Sequence, residues 1–236
     1  MKCEKILTGT QAKAADTYAI STMGISSLDL MANASLCTAD YIFKALPGKC
    51  LVYIFCGVGN NGADGLNIAR IIKEKGYSTI IFVCGTLEKA TKEFSFHLEK
   101  IKEAGDPVLF YNEMNKEGIR EFFENDPPKI VVDAVFGIGL HRYITGQYKE
   151  FIDEINQCIN ESKTRNQMIK TIAVDIPSGI NADTGELMGT GIKADLTITF
   201  GCMKKGLLEK SGEEYSGKVE LVDIGIPEDA YEKALL

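Results

Sequence analysis

Short apolar runs alternate along the chain with amphipathic stretches, and this alternation limits the fold more than any other feature of the sequence. The runs are continuous rather than alternating with polar residues, which is typical of parallel strands covered on both faces. Strand–helix–strand repetition implies right-handed crossovers, and it predicts an α/β sandwich with a mostly parallel central sheet. The predicted strands cover residues 51–55, 79–83, 108–111, 130–132 and 171–174.

The segments between these strands predict helices over 64–75, 88–104 and 148–162, each with apolar residues on one face. Residues 10–46 predict helices only, and Ser26 or Ser27 could cap the second of them. These helices could cover a sheet edge or pack against a second subunit. Two more strands, 196–200 and 219–222, flank a loop containing glycine and lysine and are expected at the sheet edge. No linker, repeat or composition break divides the chain, so residues 1–236 are predicted to form a single domain.

Composition excludes several classes of protein. The 236 residues are 45% hydrophobic and 25% charged, unlike a disordered or collagen-like chain. A net charge of -7 argues against a nucleic-acid or anionic-membrane partner. Without a secretory leader or a membrane-length apolar stretch, the chain is expected to be cytoplasmic. The cysteines lack a C-x-x-C pair and are interpreted as reduced thiols rather than disulfides or a zinc site: Cys3, Cys37, Cys50, Cys56, Cys84, Cys158 and Cys202.

A glycine-rich loop, GVGNNGADG over residues 57–65, follows the first predicted strand and opens a helix. Its glycines match G-x-G-x-x-G, which suits close backbone approach to a phosphate at a helix start; the alternative is a turn needed only for packing. A dehydrogenase is disfavoured because no acidic residue follows the second strand, which ends Val83-Cys84-Gly85-Thr86. The loop's polar side chains instead suit a ligand or a cation held by oxygens.

Two aspartates end apolar strands. Asp133 follows 130–132, and Asp175 follows 171–174 and precedes Pro177 and Ser178. Because ligands bind at the carboxyl ends of parallel strands, these groups and the asparagine-rich loop predict one convergent site. Its oxygens suit potassium, sodium or magnesium more than zinc. For Asp133, a cap or turn aspartate is the alternative.

Other polar residues carry weaker signals. His97 is expected to be structural, within an amphipathic and exposed helix, and His141 is a weak catalytic candidate in the loop after Gly139. Lys204 and Lys205 are expected to be surface charges, with phosphate binding as the alternative. Three cysteines lie at apparent strand ends without a nearby activating base: Cys56, Cys84 and Cys202.

Together the three loops resemble the NAD(P)HX epimerase family, also called the YjeF amino-terminal domain. The resemblance spans nearly the whole chain, in segments whose order and spacing make it specific. The segments are GNNGADG at 59–65, VDAVFG at 132–137 and VDIPSGI at 174–180, with DTYAI at 16–20, LMANA at 30–34, ADLTITF at 194–200 and VDIGIP at 222–227.

This resemblance implies a Rossmann-like three-layer α/β/α fold, usually dimeric, that interconverts the R and S forms of NADHX and NADPHX, the hydrated nicotinamide cofactors. It also implies one bound potassium ion. A dehydratase that uses ATP or ADP restores the S form to NAD(P)H, in many bacteria as a second domain on the same chain. The end of this chain shortly after Pro227 suggests a stand-alone epimerase or the first domain of a longer bifunctional enzyme.

The resemblance also implies roles for individual residues. Asp175 would contact the substrate near its reacting centre, and we assign general acid–base catalysis to it, with Asp64 as the second candidate. Potassium would be held by Asn61, Asp133 and Ser178. The substrate would contact Asn60, Asn61, Gly62, Ala63, Asp64, Gly137, Ile138, Gly139, Leu140, His141, Arg142, Tyr143 and Asp175.

The sequence departs from the family pattern at three positions. Ala63 stands where a glycine is usual, so that its methyl group could crowd the phosphate approach. Ala32 replaces a customary glutamate, and Ser35 replaces a common glycine. The alternative function is a non-catalytic nucleotide-binding or scaffold module, which loss of Asp175 or of the cation ligands would favour; both are present.

Overall fold

The fold is organised around a seven-stranded sheet. The structure is a computed structural model that describes residues 5–45, 48, 50–114, 118–124 and 129–235; Cys3 and the predicted helix end at Leu46 lie outside them. In chain order the described strands are β1 (Ile6–Leu7), β2 (Leu51–Cys56), β3 (Ser78–Val83), β4 (Val108–Phe110), β5 (Lys129–Ala134), β6 (Ile169–Val174), β7 (Leu196–Phe200), β8 (Met203–Lys204) and β9 (Lys218–Val222).

The large sheet has the order β4-β3-β2-β5-β6-β7-β9, and β1 pairs with β8 in a separate two-stranded sheet. All pairs between these strands are parallel, as the continuous apolar runs predicted. The chain leaves β2 toward β3 on one side and later returns to add β5 on the other side. The carboxyl ends of β2 and β5 therefore flank a topological switch point, where open α/β sheets bind ligands.

Helices cover the sheet. The predicted helix over 64–75 begins earlier, at Asn60. The predicted helix over 88–104 is divided in two. A 3₁₀ turn covers Leu87–Lys89, and an α-helix then begins at Lys92, where the Thr91 side chain caps it. The described helices are α1 (Gly9–Ser21), α2 (Ser27–Ala45), α3 (Asn60–Glu74), α4 (Lys92–Glu103), α5 (Arg120–Phe123), α6 (Gly146–Thr164), α7 (Ser211–Ser216) and α8 (Glu228–Ala234).

Alternate residues of the strands belong to two different cores. In β2, Val52 and Ile54 pack with α1 to α4 and α8, whereas Tyr53 and Phe55 pack with α5 and α6 on the opposite face. On that second face Phe55 stacks on Phe82 with ring centroids 4.9 Å apart. The sheet is thus the middle layer of an α/β/α sandwich, which confirms the predicted fold class.

Two single residues add detail to the predicted elements. His97 is buried, with 7% of its surface accessible, because it lies on the inner face of α4, which packs on the first core. Tyr111 does not extend β4 but begins a 3₁₀ turn. Within the described segments, no helix has the length and apolarity needed to cross a membrane.

Candidate active site

A cavity of about 560 Å³ opens above the switch point. Its lining comes from α1, α2, the start of α3, the loop after β5 and residues near the ends of β6, β7 and β9. The polar and charged residues of this lining include Lys13, Asp16, Asn60, Asn61, Asp64, Asp175 and Lys204.

The glycine-rich loop brings the amino terminus of α3 to this cavity. Most of its glycines serve close packing: a Cβ on Gly62 would lie 1.8 Å from the carbonyl oxygen of Gly57, and one on Gly65 would lie 2.7 Å from Cβ of Ala134 and Sγ of Cys56. Gly59, in contrast, has open space around it and lines the cavity. The packing alternative therefore accounts for most of these glycines, while the free backbone N–H groups at the start of α3 still suit an anion.

Ala63 does not crowd the cavity. Its side chain is buried in the first core, and neither it nor Gly62 lines the cavity wall. The other two departures from the family pattern also lie outside that wall: Ala32 is half-buried, and the hydroxyl of Ser35 lies 3.5 Å from the backbone oxygen of Asp64.

Asp133 is fully buried beneath the cavity and is bonded to the loop that follows β6. Its Oδ2 accepts the Ser178 N–H at 2.7 Å, and its Oδ1 accepts the Ser178 hydroxyl at 2.5 Å and the Val135 N–H at 3.3 Å. Burial raises the pKa of Asp133 to about 6, against the lowering effect of these donors. The donors explain how a carboxyl is accommodated at the end of an apolar strand.

Asn61 joins the same group of oxygens. Its amide donates to the Phe136 carbonyl at 3.0 Å, and the Phe136 N–H donates to the Ser178 hydroxyl at 2.8 Å. Carboxylate, amide, hydroxyl and backbone oxygens thus lie within one small region. Among the described residues, no three His, Cys, Asp or Glu side chains are grouped so that they could hold a metal ion.

Asp175 and Lys204 form a buried ion pair on the cavity surface. Nζ of Lys204 lies 2.5 Å from Oδ1 of Asp175, which also accepts the Thr199 hydroxyl and the Phe200 N–H, each at 3.2 Å. The expectation that Lys204 is a surface charge was therefore wrong: its side chain is 3% exposed. Lys205, in contrast, is on the surface, 3.5 Å from Glu209. Asp175 adopts φ 67°, a left-handed backbone conformation uncommon outside glycine.

Two further carboxyls face this pair. Burial raises the pKa of Asp64 well above its usual value, and the nearby Asp175 and Asp16 raise it further. Burial also raises the pKa of Asp16 to about 6, although Lys204 acts in the opposite direction. Sequence reasoning did not single out Asp16 or Lys13 as site residues; the segment 16–20, noted only for its resemblance, was the one available signal.

The remaining predicted substrate contacts divide into two groups. Residues 137–140 line the cavity. His141, Arg142 and Tyr143 are exposed and lie outside its wall, with Tyr143 68% exposed. Cys202 lines the cavity as a buried thiol whose pKa burial raises to about 11, and burial raises that of Cys84 to about 12, so neither environment activates a thiolate.

The sheet order and the carboxyl-lined cavity at the switch point define the class: a Rossmann-like α/β protein with a cavity at the carboxyl ends of its strands. The chain belongs to the family described as YjeF-related protein N-terminus, whose family model matches residues 27–206.

Similar proteins cover most of the chain. It is 35% identical to the NAD(P)H-hydrate epimerase of Limosilactobacillus fermentum, over 93% of this chain and 97% of that protein, and 34% identical to that of Levilactobacillus brevis, over 94% of each. It is 32% identical to the bifunctional NAD(P)H-hydrate repair enzyme Nnr of Thermofilum pendens, over 98% of this chain but 42% of that protein. The crystal structure of yeast ynu0 shares the fold, with a TM-score of 0.76 at 23% identity over 98% of this chain and 94% of that chain.

Proposed function

We propose that this protein is an NAD(P)H-hydrate epimerase, an isomerase that interconverts the R and S forms of NADHX and NADPHX. The observation that carries the proposal is the cavity at the switch point, where Asp175 is held as a partner of Lys204 beside two other carboxyls. The end-to-end match to curated epimerases of about the same length supports the substrate class.

The reaction inverts one carbon of the hydrated nicotinamide ring, which bears a hydroxyl beside the ring nitrogen. Inversion can pass through loss and return of the hydroxyl, with an iminium-like species between, or through opening and closing of the ring. Either route needs proton transfer at oxygen and stabilisation of developing charge, which a positioned carboxyl supplies with an effect on the order of 10²–10⁴-fold. Asp175 carries this acid–base function in the proposal, because it lies on the cavity surface.

The rest of the substrate would lie along the same cavity. A pyrophosphate fits the amino terminus of α3, where Asn60, Asn61 and Asp64 begin the helix, because free N–H groups and the helix dipole favour an anion. Residues 137–143 would contact the nucleotide. In this proposal His141, Arg142 and Tyr143 provide the outer part of that contact.

Potassium is the proposed cofactor, held by Asn61, Asp133 and Ser178. The fit rests on the oxygen set of these residues, which suits a hard or weakly held cation better than zinc. A bound cation would supply a fixed positive charge beneath the cavity and anchor the loops after β5 and β6. The side chains of Asp133 and Ser178 already join these two loops.

The cellular setting proposed from the family is a homodimer in the cytoplasm that works with a dehydratase. The relative from Thermofilum pendens, which is more than twice as long and is named bifunctional, supports a functional connection between the two activities. For this chain the dehydratase would be a separate protein or a fused domain.

The test is equilibration of purified R- or S-NADHX, followed by chiral chromatography, with potassium present or replaced by an inert organic cation. We expect equilibration far above the spontaneous rate, and loss of that activity in Asp175→Asn but not in the exposed helix variant Asp40→Asn. Normal turnover by Asp175→Asn would show that the acid–base assignment is wrong. Binding without turnover by the unaltered protein would favour a nucleotide-binding module.

A further inference from the structure

Three carboxyls and one lysine share one part of the cavity surface, and their hydrogen bonds differ sharply. We propose that Asp64 is the un-ionised acid that gives a proton to the substrate hydroxyl, that Asp16 keeps this proton on Asp64, and that Lys204 keeps Asp175 ionised. The inference deepens the proposed function and rests on it.

Hydrogen bonding separates Asp175 from Asp64. Oδ1 of Asp175 accepts three donors, from the ammonium of Lys204, the hydroxyl of Thr199 and the N–H of Phe200, and such donors favour the ionised form. Oδ1 of Asp64 is buried and has no hydrogen-bond partner among the described residues. Burial of a carboxylate oxygen without a donor costs more free energy than burial of the protonated carboxyl, because the charge adds to the lost hydrogen bonds.

The charges around Asp64 also favour its un-ionised form. Asp16 on α1 and Asp175 after β6 repel a negative charge on Asp64, and Lys204 on β8 favours one, while the thiol of Cys56 on β2 is un-ionised. Lys204 is already engaged by Asp175 and by the carbonyl of Phe200. Burial is the largest cause of the raised pKa of Asp64, and two carboxyls opposed by one lysine that is bonded elsewhere raise it further.

The two carboxyls can then act as an acid, Asp64, and a base, Asp175. Asp64 transfers its proton to the hydroxyl oxygen of NADHX, the carbon–oxygen bond breaks with its electron pair on the departing water, and the lone pair of the ring nitrogen forms the iminium bond. The Asp175 carboxylate faces the cation that develops. A water molecule then adds to the opposite face of the same carbon and gives one proton to the Asp175 carboxylate. Transfer of one proton from Asp175 to Asp64 through solvent restores both groups, so that atoms and charge balance.

Asp16 is a positioning residue in this scheme. Burial raises its pKa to about 6, so that it is mostly ionised at neutral pH, and its negative charge disfavours ionisation of Asp64. Activity that depends on protonated Asp64 is lost as pH rises through the pKa of Asp64. Asp16→Asn removes a charge that raises this pKa and therefore moves the loss of activity to lower pH.

The experiment compares Asp64→Asn with Asp40→Asn, a control on an exposed face of α2. Infrared spectroscopy of the unaltered protein at neutral pH should show the carbonyl stretch of an un-ionised carboxylic acid, and Asp64→Asn should lose that band. We expect kcat of Asp64→Asn to fall on the order of 10²–10⁴-fold. The dissociation constant for NADHX should change little, and Asp40→Asn should match the unaltered protein in every measurement.

Different results separate this inference from the proposed function. If the unaltered protein does not epimerise NADHX, the function fails, whereas the infrared band still reports the protonation of Asp64. Near-normal kcat in Asp64→Asn, or persistence of the band, would overturn the inference while leaving the function intact. If Asp64→Asn does not fold, the activity of Asp16→Asn is measured as a function of pH instead. Loss of activity at the same high pH as in the unaltered protein would contradict the proposed effect of Asp16 on the pKa of Asp64.

Discussion

Nζ of Lys204 lies 2.5 Å from Oδ1 of Asp175 and 2.7 Å from the carbonyl oxygen of Phe200. The pair is assembled by two short elements: Asp175 turns out of the end of β6 with positive φ, and Lys204 is fixed in β8 by parallel pairing with Leu7 of β1. A two-residue strand near the start of the chain thus helps to place the only described lysine that bonds Asp175.

Removing one partner of this pair should destabilise the protein. Lys204→Met leaves a buried carboxylate without its counter-ion, which costs about 3–5 kcal/mol of unfolding free energy. The double variant Lys204→Met/Asp175→Asn should recover part of that loss, because no unpaired charge remains. Urea unfolding of both single variants and the double variant measures the coupling; simply additive losses would mean that the two groups contribute independently.

Potassium should stabilise the folded protein if Asn61, Asp133 and Ser178 hold it. A ligand at about 100 times its dissociation constant adds about 2.7 kcal/mol to the free energy of unfolding. We expect the unfolding midpoint to rise as potassium replaces an organic cation at constant ionic strength. Asp133→Asn should reduce this rise, whereas Lys205→Gln on the surface should keep it. An equal rise in all three proteins would indicate a general salt effect.

The sheet could be predicted from the sequence because its buried parallel strands consist of continuous runs of apolar residues. The stretch 51–55 falls wholly within β2, and 196–200 coincides with β7. In contrast, β1 and β8 have two residues each and carry no periodic signal. Elements of that length depend on long-range pairing, which a local pattern does not encode.

The candidate site was predictable only in part, for a related reason. Asp133 and Asp175 could be predicted as site residues because each ends an apolar strand. Lys204 did not, since a lysine is exposed by default and the carboxyl that compensates its burial lies 29 positions away. Asp16 is a single acidic residue on a helix with no local feature that distinguishes it from a solvated charge.

His97 should make stability depend on pH. Burial, and secondarily Arg70, lower its pKa from 6.5 to about 4, while Glu93 acts in the opposite direction. Between these values the unfolded chain binds a proton that the folded protein does not. The free energy of unfolding therefore decreases as pH falls from 6.5 toward 4, by at most about 3 kcal/mol.

His97→Leu removes this titration and should flatten that part of the profile. Urea unfolding of both proteins at closely spaced pH values measures the difference, with agreement in slope above pH 7 as the internal control. Parallel profiles below pH 6.5 would show that His97 is protonated in the folded protein as readily as in the unfolded chain.

Two glycines near the cavity should respond differently to alanine. Gly65→Ala would place a Cβ 2.7 Å from both Cβ of Ala134 and Sγ of Cys56, so that α3 must move away from the sheet. Overpacking of this kind costs about 1–3 kcal/mol, more than the roughly 1 kcal/mol that alanine gains over glycine within a helix. We therefore expect a lower unfolding free energy for Gly65→Ala, measured by urea unfolding.

Gly139→Ala is the matched variant, because Gly139 has nothing within 4 Å of its added Cβ and lines the cavity. Its unfolding free energy should change by no more than about 0.5 kcal/mol, as is usual for open positions. Its KM for NADHX should rise, since the new methyl group occupies space that the proposed substrate needs. The opposite pattern, an unstable Gly139→Ala with unchanged KM and a stable Gly65→Ala, would contradict the assignment of packing to one glycine and of ligand access to the other.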